Sequence, residues 1–80
     1  MARTILGNTI KIQRAKKDLT QEQLAELVGV TRTTINLVER RKFIPSAVIA
    51  LKIAQVFEVP FEEVFYFDTE KLSGAQQKGD

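Results

Sequence analysis

Arg32, Thr33, Asn36, Leu37 and Arg40 fall at i, i+1, i+4, i+5 and i+8, a spacing that on a helix makes one continuous stripe. Ile35 and Val38 stand on the opposite side of the same turns. The stripe offers the groups that duplex base edges require. Arg32 can fork onto guanine O6 and N7, and Thr33 presents a hydroxyl and a methyl. Asn36 can pair with adenine N6 and N7, and Leu37 can pack on a thymine methyl. When a helix enters the major groove its N-terminal residues meet the bases first, which puts Arg32 and Thr33 ahead of Asn36 and Leu37 as base readers. Plainer readings stay open: a phosphate clamp or solvated charge for Arg32, a phosphate contact for Asn36, and packing at the rim of the core for Leu37.

A second set of residues suits phosphates. Thr20 and Gln21 would open a helix, where free amides and the positive helix end favour an anion. Thr34, facing the groove wall, and Arg40, Arg41 and Lys42 after the stripe complete the candidate backbone grip. Gln21 has an alternative role as a simple cap residue. Catalysis finds no comparable set. Cysteine, histidine and tryptophan are absent, which removes thiolate and imidazole ligands, thiol nucleophiles and the commonest general acid or base. The carboxylates form no cluster in sequence that would hold a metal or carry acid–base chemistry. No catalytic residue, metal ligand or cofactor is expected.

The elements that must position these residues read as helices. Leu6, Ile10 and Arg14 recur at i, i+4, i+8 and predict a first helix from about Leu6 or Asn8 to Lys17, ended by Asp18. Thr20-Gln21-Glu22-Gln23 fits a capping box and starts a second helix, with Leu24, Leu27 and Val28 as its apolar face and Gly29 as a left-handed stop. Thr31 caps a third helix after a very tight turn. Pro45-Ser46 precedes a fourth whose stripe is Ala47, Ala50, Leu51, Ala54 and Phe57, and Glu58-Val59-Pro60 breaks it. Phe61-Glu62-Glu63-Val64-Phe65 reads as a short fifth helix, acidic in its first turn.

Composition sets the frame. Eighty residues with 44% apolar side chains allow one small core, and without crosslinks or metals that core must rest on packing alone. The longest apolar run, Ala47 to Leu51, is five residues, against the roughly 20 that a spanning helix needs. The N-terminus has no signal-peptide core, so a soluble, cytoplasmic protein without membrane contact is expected. Residues 1–68 are expected to form the domain, with the two-helix unit at about 20–40, and residues 69–80 to be a flexible polar tail. The net charge of +2 divides unevenly: residues 1–43 hold nine basic and four acidic groups, and residues 44–80 hold three basic and six acidic. A dipolar domain that turns its basic half to a polyanion follows.

The run Leu19 to Arg40, two short helices joined by a tight turn with glycine, makes a helix-turn-helix unit. Leu19-Thr20-Gln21, Leu24-Ala25, Gly29-Val30-Thr31, Ile35 and Glu39 resemble the Cro/C1-type family of small transcriptional regulators, as do Pro45-Ser46 and Leu51-Lys52-Ile53-Ala54. The resemblance covers about Asn8 to Phe67. It implies an all-α, five-helix bundle of the phage-repressor type that binds double-stranded DNA sequence-specifically, usually as a dimer. It further implies a phosphate contact at Gln21 and an ion pair between Arg14 and Glu39. Family members commonly have glycine or asparagine where Arg41 stands, in left-handed conformation. Ile44 and Val48 replace expected polar residues and, with Phe43, could form a partner surface. Phe65-Tyr66-Phe67 could add dimer contacts, including an edge strand paired across a two-fold axis, or could close the core. A repressor acting by occlusion as a homodimer is the leading expectation. The alternative is a protein-interaction module, such as an antitoxin or adaptor.

Overall fold

The computed structural model describes residues 3–70, with side chains from 5 to 68. In chain order it runs β1 (Arg3–Asn8), α1 (Ile10–Lys17), α2 (Gln21–Val28), α3 (Arg32–Glu39), α4 (Ala47–Phe57), α5 (Phe61–Val64) and β2 (Phe65–Glu70). The five expected helices are present. They are accompanied by a two-stranded antiparallel sheet in which β1 and β2 pair from Arg3↔Glu70 to Asn8↔Phe65.

The first helix begins later than its periodicity predicts. Leu6 lies in β1 opposite Phe67, and α1 starts only at Ile10. The segment between is tied elsewhere: the Thr9 amide donates to the Val64 carbonyl at 2.8 Å, and Asn8 Oδ1 accepts from the Ile10 amide at 3.1 Å. Leu6 still turns inward and packs against the core, so a strand residue fell by coincidence on the helical spacing. At the other end, Phe65 opens β2 and leaves α5 with four residues. Strand β2 pairs with β1 of its own chain and continues through Thr69 and Glu70. The remainder of the expected tail, residues 71–80, lies outside the described residues.

Local chemistry sets each boundary. The capping box of α2 is formed, with Thr20 Oγ1 accepting from the Gln23 amide at 3.0 Å and Gln23 Oε1 accepting from the Thr20 amide at 2.9 Å. Thr31 and Ser46 cap α3 and α4 in the same way through the amides of Thr34 and Ile49. Gly29 closes α2 at φ 88°. A Cβ there would meet nothing within 4 Å, so this glycine serves its backbone angle and not close packing. Asp18, Arg41 and Glu58 take the left-handed conformation with side chains present.

The core joins Ile10 of α1, Leu24, Ala25 and Val28 of α2, Ile35 and Val38 of α3, and Ala50, Ile53, Ala54 and Phe57 of α4, with Val64 and Phe65 beneath. Leu27, Ala47 and Leu51, expected inside, are exposed. Buried Leu24, Ala25 and Val28 centre the α2 stripe between positions 24 and 25, so Leu27 lies roughly 100° away from that centre at about 100° per residue. Leu51 is displaced from Ala50, Ile53, Ala54 and Phe57 by a similar angle.

The C-terminal ends of α1 and α4 are joined at the surface, where Lys17 Nζ donates to Glu58 Oε1 at 2.6 Å. The hydrogen bond and the charge of Lys17 hold the Glu58 carboxyl below its ordinary value of 4.5. A lowered folded value means that the pair's small contribution is present above the unfolded value and fades as pH falls through the folded one. In a carboxyl-carbon NMR titration Glu58 should titrate below 4.5, and Lys17→Ala should raise its midpoint. An unmoved midpoint would mean that the pair is open in solution.

Candidate nucleic-acid interface

Helix α3 buries Ile35 and Val38 and leaves Arg32, Thr33 and Arg40 exposed, with Asn36 and Leu37 half-buried along the same outer side. The stripe is therefore continuous but graded. Its N-terminal end stands clear of the domain, and its middle lies closer to the body. Thr34 is half-buried, with its hydroxyl 3.1 Å from that of Thr31.

The N-terminus of α2 lies near that of α3. Arg14, Thr20, Gln21 and Arg32 line one open cleft of about 430 Å³, together with the carboxylates of Asp18 and Glu22. Thr20, Gln21 and Arg32, separated in sequence, are thus brought together. A polyanion passing this mouth would meet the positive end of α2 and the Arg32 guanidinium from two sides.

Behind the cleft, Arg14 and Glu39 meet. Arg14 Nε donates to Glu39 Oε2 at 2.6 Å, Nη2 donates to Oε1 at 3.3 Å, and Nη1 donates to the Leu19 carbonyl at 2.9 Å. Gln21 Nε2 adds a bond to Glu39 Oε1 at 3.2 Å. Side-chain exposures of 15% and 9% put the pair largely out of water. One carboxylate thereby ties the last turn of α3 to α1 and to the first turn of α2. Gln21, expected at phosphate, spends one amide hydrogen on this network and keeps the other.

The end of α3 closes through Arg41 at φ 62°, with its amide donating to the Val38 carbonyl at 3.0 Å and the Lys42 amide to the Leu37 carbonyl at 2.8 Å. Glycine would take this angle more easily. Arginine there costs about 1 kcal/mol. Its guanidinium turns to β2, donating to Asp68 Oδ2 at 2.9 Å and to the Tyr66 hydroxyl at 3.1 Å. Arg41 was expected at phosphate with Arg40 and Lys42, yet in this arrangement its charge is engaged by the hairpin. Arg40 and Lys42 stay exposed.

The candidate partner surface separates into two parts. Phe43, Ile44, Val48, Tyr66 and Phe67 are exposed, Ile44 at 72% and Phe67 at 81%. Phe65 does not belong with them, because it is 3% exposed and its ring stacks on Phe61 at 5.4 Å. Phe65 is the first residue of β2, directly after α5, and lies over the core, whereas Phe67, two residues on and on the same face of the strand, projects beyond it. Asn8, Tyr66 and Asp68 were not expected to support α3, and nothing local in the sequence marks them, since their partners lie 25 to 30 residues away.

Among the described residues no helix is long and apolar enough to cross a membrane. A helix-turn-helix family profile matches residues 10–64. An uncharacterized HTH-type transcriptional regulator of Archaeoglobus fulgidus is 51% identical over 63 residues, 79% of this chain and 89% of that protein. HTH-type transcriptional regulator YgzD of Bacillus subtilis, also uncharacterized, is 41% identical over 65 residues, 81% of this chain and 98% of the relative. Among solved structures, the restriction-modification controller protein C.AhdI from Aeromonas hydrophila superposes with a TM-score of 0.63 at 35% identity, over 68% of this chain and 82% of its own. The two capped helices, the turn at Gly29 and the outward stripe of α3 lie wholly inside the matched span, and the chain belongs to the Cro/C1-type helix-turn-helix family of DNA-binding transcriptional regulators.

Proposed function

We propose that this protein is a sequence-specific repressor that binds a pseudo-palindromic operator as a homodimer, with α3 in the major groove. The observation that carries the reading is the polar stripe of α3, exposed at its N-terminal end and braced from behind by Arg14 and Glu39. Arg32 and Thr33 meet base edges, and Asn36 and Leu37 follow one turn later. Thr20, Gln21, Thr34, Arg40 and Lys42 hold phosphates on either side. One such domain spans few base pairs. Two copies with half-sites ~34 Å apart supply both affinity and symmetry. The exposed apolar residues Ile44 and Val48, with Phe43, support a second copy as the partner.

Selection of bound sequences from random duplex DNA tests this reading. A two-fold symmetric consensus is expected. An asymmetric consensus overturns the dimer, and no enrichment overturns base reading and favours a protein-interaction module.

Lys42 is exposed and engaged in no ion pair among the described residues. Lys42→Ala should weaken binding to selected and random duplex alike and make the slope of log K against log salt shallower by about 1. A loss confined to the selected duplex would move Lys42 from the phosphates to the bases.

A further inference from the structure

The family match ends at residues 10 and 64, and the hairpin is built from the two segments just outside it, residues 3–8 and 65–70. Those segments reach back to the end of α3. Asn8 of β1 donates from Nδ2 to the Val38 carbonyl at 2.9 Å while its Oδ1 accepts from the Ile10 amide. The Val38 carbonyl also accepts from the Arg41 amide, so both of its acceptor sites are filled. Three residues beyond Val38, β2 grips the Arg41 side chain through Asp68 and Tyr66.

Two local sacrifices accompany this grip. Arg41 holds a left-handed backbone that disfavours any side chain with a Cβ. Gly7 faces Tyr66 across the ladder, and a Cβ there would lie 2.6 Å from Tyr66 Cζ and 2.9 Å from its hydroxyl. Glycine lets the ring lie flat over β1, where the hydroxyl reaches Arg41. Neither choice favours the local element by itself, since glycine weakens a strand and arginine strains the helix end. Both make sense if the link between hairpin and α3 is the feature retained.

We propose that the hairpin is a brace that sets the orientation of α3, with Asn8, Tyr66 and Asp68 as positioning residues that act through Val38 and Arg41 and touch no DNA. The proposal rests on the reading that α3 meets base edges. With Asp68 removed, Arg41 and the end of α3 lose their tether, and the helix samples a wider range of angles in the groove. Discrimination between bases is more sensitive to that angle than is attraction to phosphates.

Asp68→Asn, Asn8→Ala and Arg41→Gly in the full chain separate bracing from other roles. The Arg41–Asp68 pair is a surface one, with side chains 39% and 49% exposed, so Asp68→Asn and Arg41→Gly should stay folded, and a melting curve establishes that Asn8→Ala, which loses part-buried bonds to Val38 and Ile10, is folded before its ratio is read. Arg41→Gly should melt no lower than the parent, because it relieves the left-handed angle. All three should nevertheless lower the ratio of affinities for the selected duplex and its single-base variants, by about threefold each, the scale of one surface pair. Amide exchange at Lys42, measured without DNA, should quicken by a similar factor. An unchanged ratio in folded Asp68→Asn and Asn8→Ala overturns the proposal. So does Asp68→Asn that binds all duplexes more tightly with a steeper salt slope, which would mean that Asp68 only withholds Arg41 from phosphate. If the parent selects no duplex, base reading fails, and the exchange rate of Lys42 still decides whether the hairpin braces α3.

Discussion

Glu39→Ala is expected to lower the melting temperature by ~10–20 °C, from a loss of about 2–3 kcal/mol in a domain where each kcal/mol moves the midpoint by ~4–8 °C. The reason is the charge left behind. Arg14 sits beside the core with its side chain 15% exposed, and without Glu39 it keeps only the Leu19 carbonyl as a partner. Gln21 loses its acceptor at the same time. An exposed pair would cost a few tenths of a kcal/mol when broken, because water replaces the lost partner. Here the two groups are largely withdrawn from water, which replaces the lost partner only in part. The double variant Arg14→Met with Glu39→Leu should recover much of the loss, since an apolar pair of similar volume removes the uncompensated charge. A shift under ~3 °C for Glu39→Ala, about half a kcal/mol, would show that the pair behaves as a surface bridge.

The same contrast between local and distant causes explains what could be read from the sequence. Helices α2, α3 and α4 each carry a short-range signal: Thr20 with Gln23, Thr31 with Thr34, and Ser46 with Ile49 make their caps within three residues. Their boundaries were legible for that reason. Strand β1 has no such signal. It exists because β2, some sixty residues away, offers a partner, and Leu6 falls on a helical period by coincidence, because β1 turns Leu6 inward as α1 turns Ile10. Leu27 and Leu51 show a related limit, for an apolar stripe read at i, i+3, i+4 is wider than the contact that a neighbouring short helix can cover. For the site, residue type and helical spacing put Arg32, Thr33, Asn36, Leu37 and Arg40 on one side. The meeting of Arg14 with Glu39 came from the family likeness. The engagement of Arg41 by Asp68 and Tyr66 followed from neither, because it depends on where the hairpin runs.

Phe67, Ile44 and Val48 are large apolar side chains left exposed on the domain. Phe67 lies at the rim of a groove of about 270 Å³ lined by Leu6, Phe61, Phe65 and Tyr66. Ile44 and Val48 lie at the start of α4. Glu62 and Glu63 lie on α5 and Asp68 on β2, where it pairs with Arg41, whereas Arg32, Arg40 and Lys42 lie on or just after α3. If the start of α2 and the stripe of α3 meet the duplex as proposed, Glu62 and Glu63 disfavour approach through α5 and so restrict the orientations of encounter before any base is contacted.

Arg32→Ala carries the largest expected change in DNA discrimination. Arg32 is the first residue of α3, exposed, and it forms no hydrogen bond or ion pair with the described side chains, so its removal should leave the melting temperature nearly unchanged. At a guanine, a forked contact to O6 and N7 contributes about 1–3 kcal/mol of discrimination, or roughly 5- to 150-fold. The variant should therefore lose that preference at one position of each half-site while keeping the rest of the consensus. Arg32→Lys should recover part of the affinity and little of the selectivity, because a point charge lacks the planar fork. A phosphate role gives a different pattern: selected and random duplex weaken together, and the salt slope becomes shallower by about 1. Equal losses on both duplexes would assign Arg32 to the backbone. Loss at a single consensus position, with the slope unchanged, would place its guanidinium on a base in the major groove.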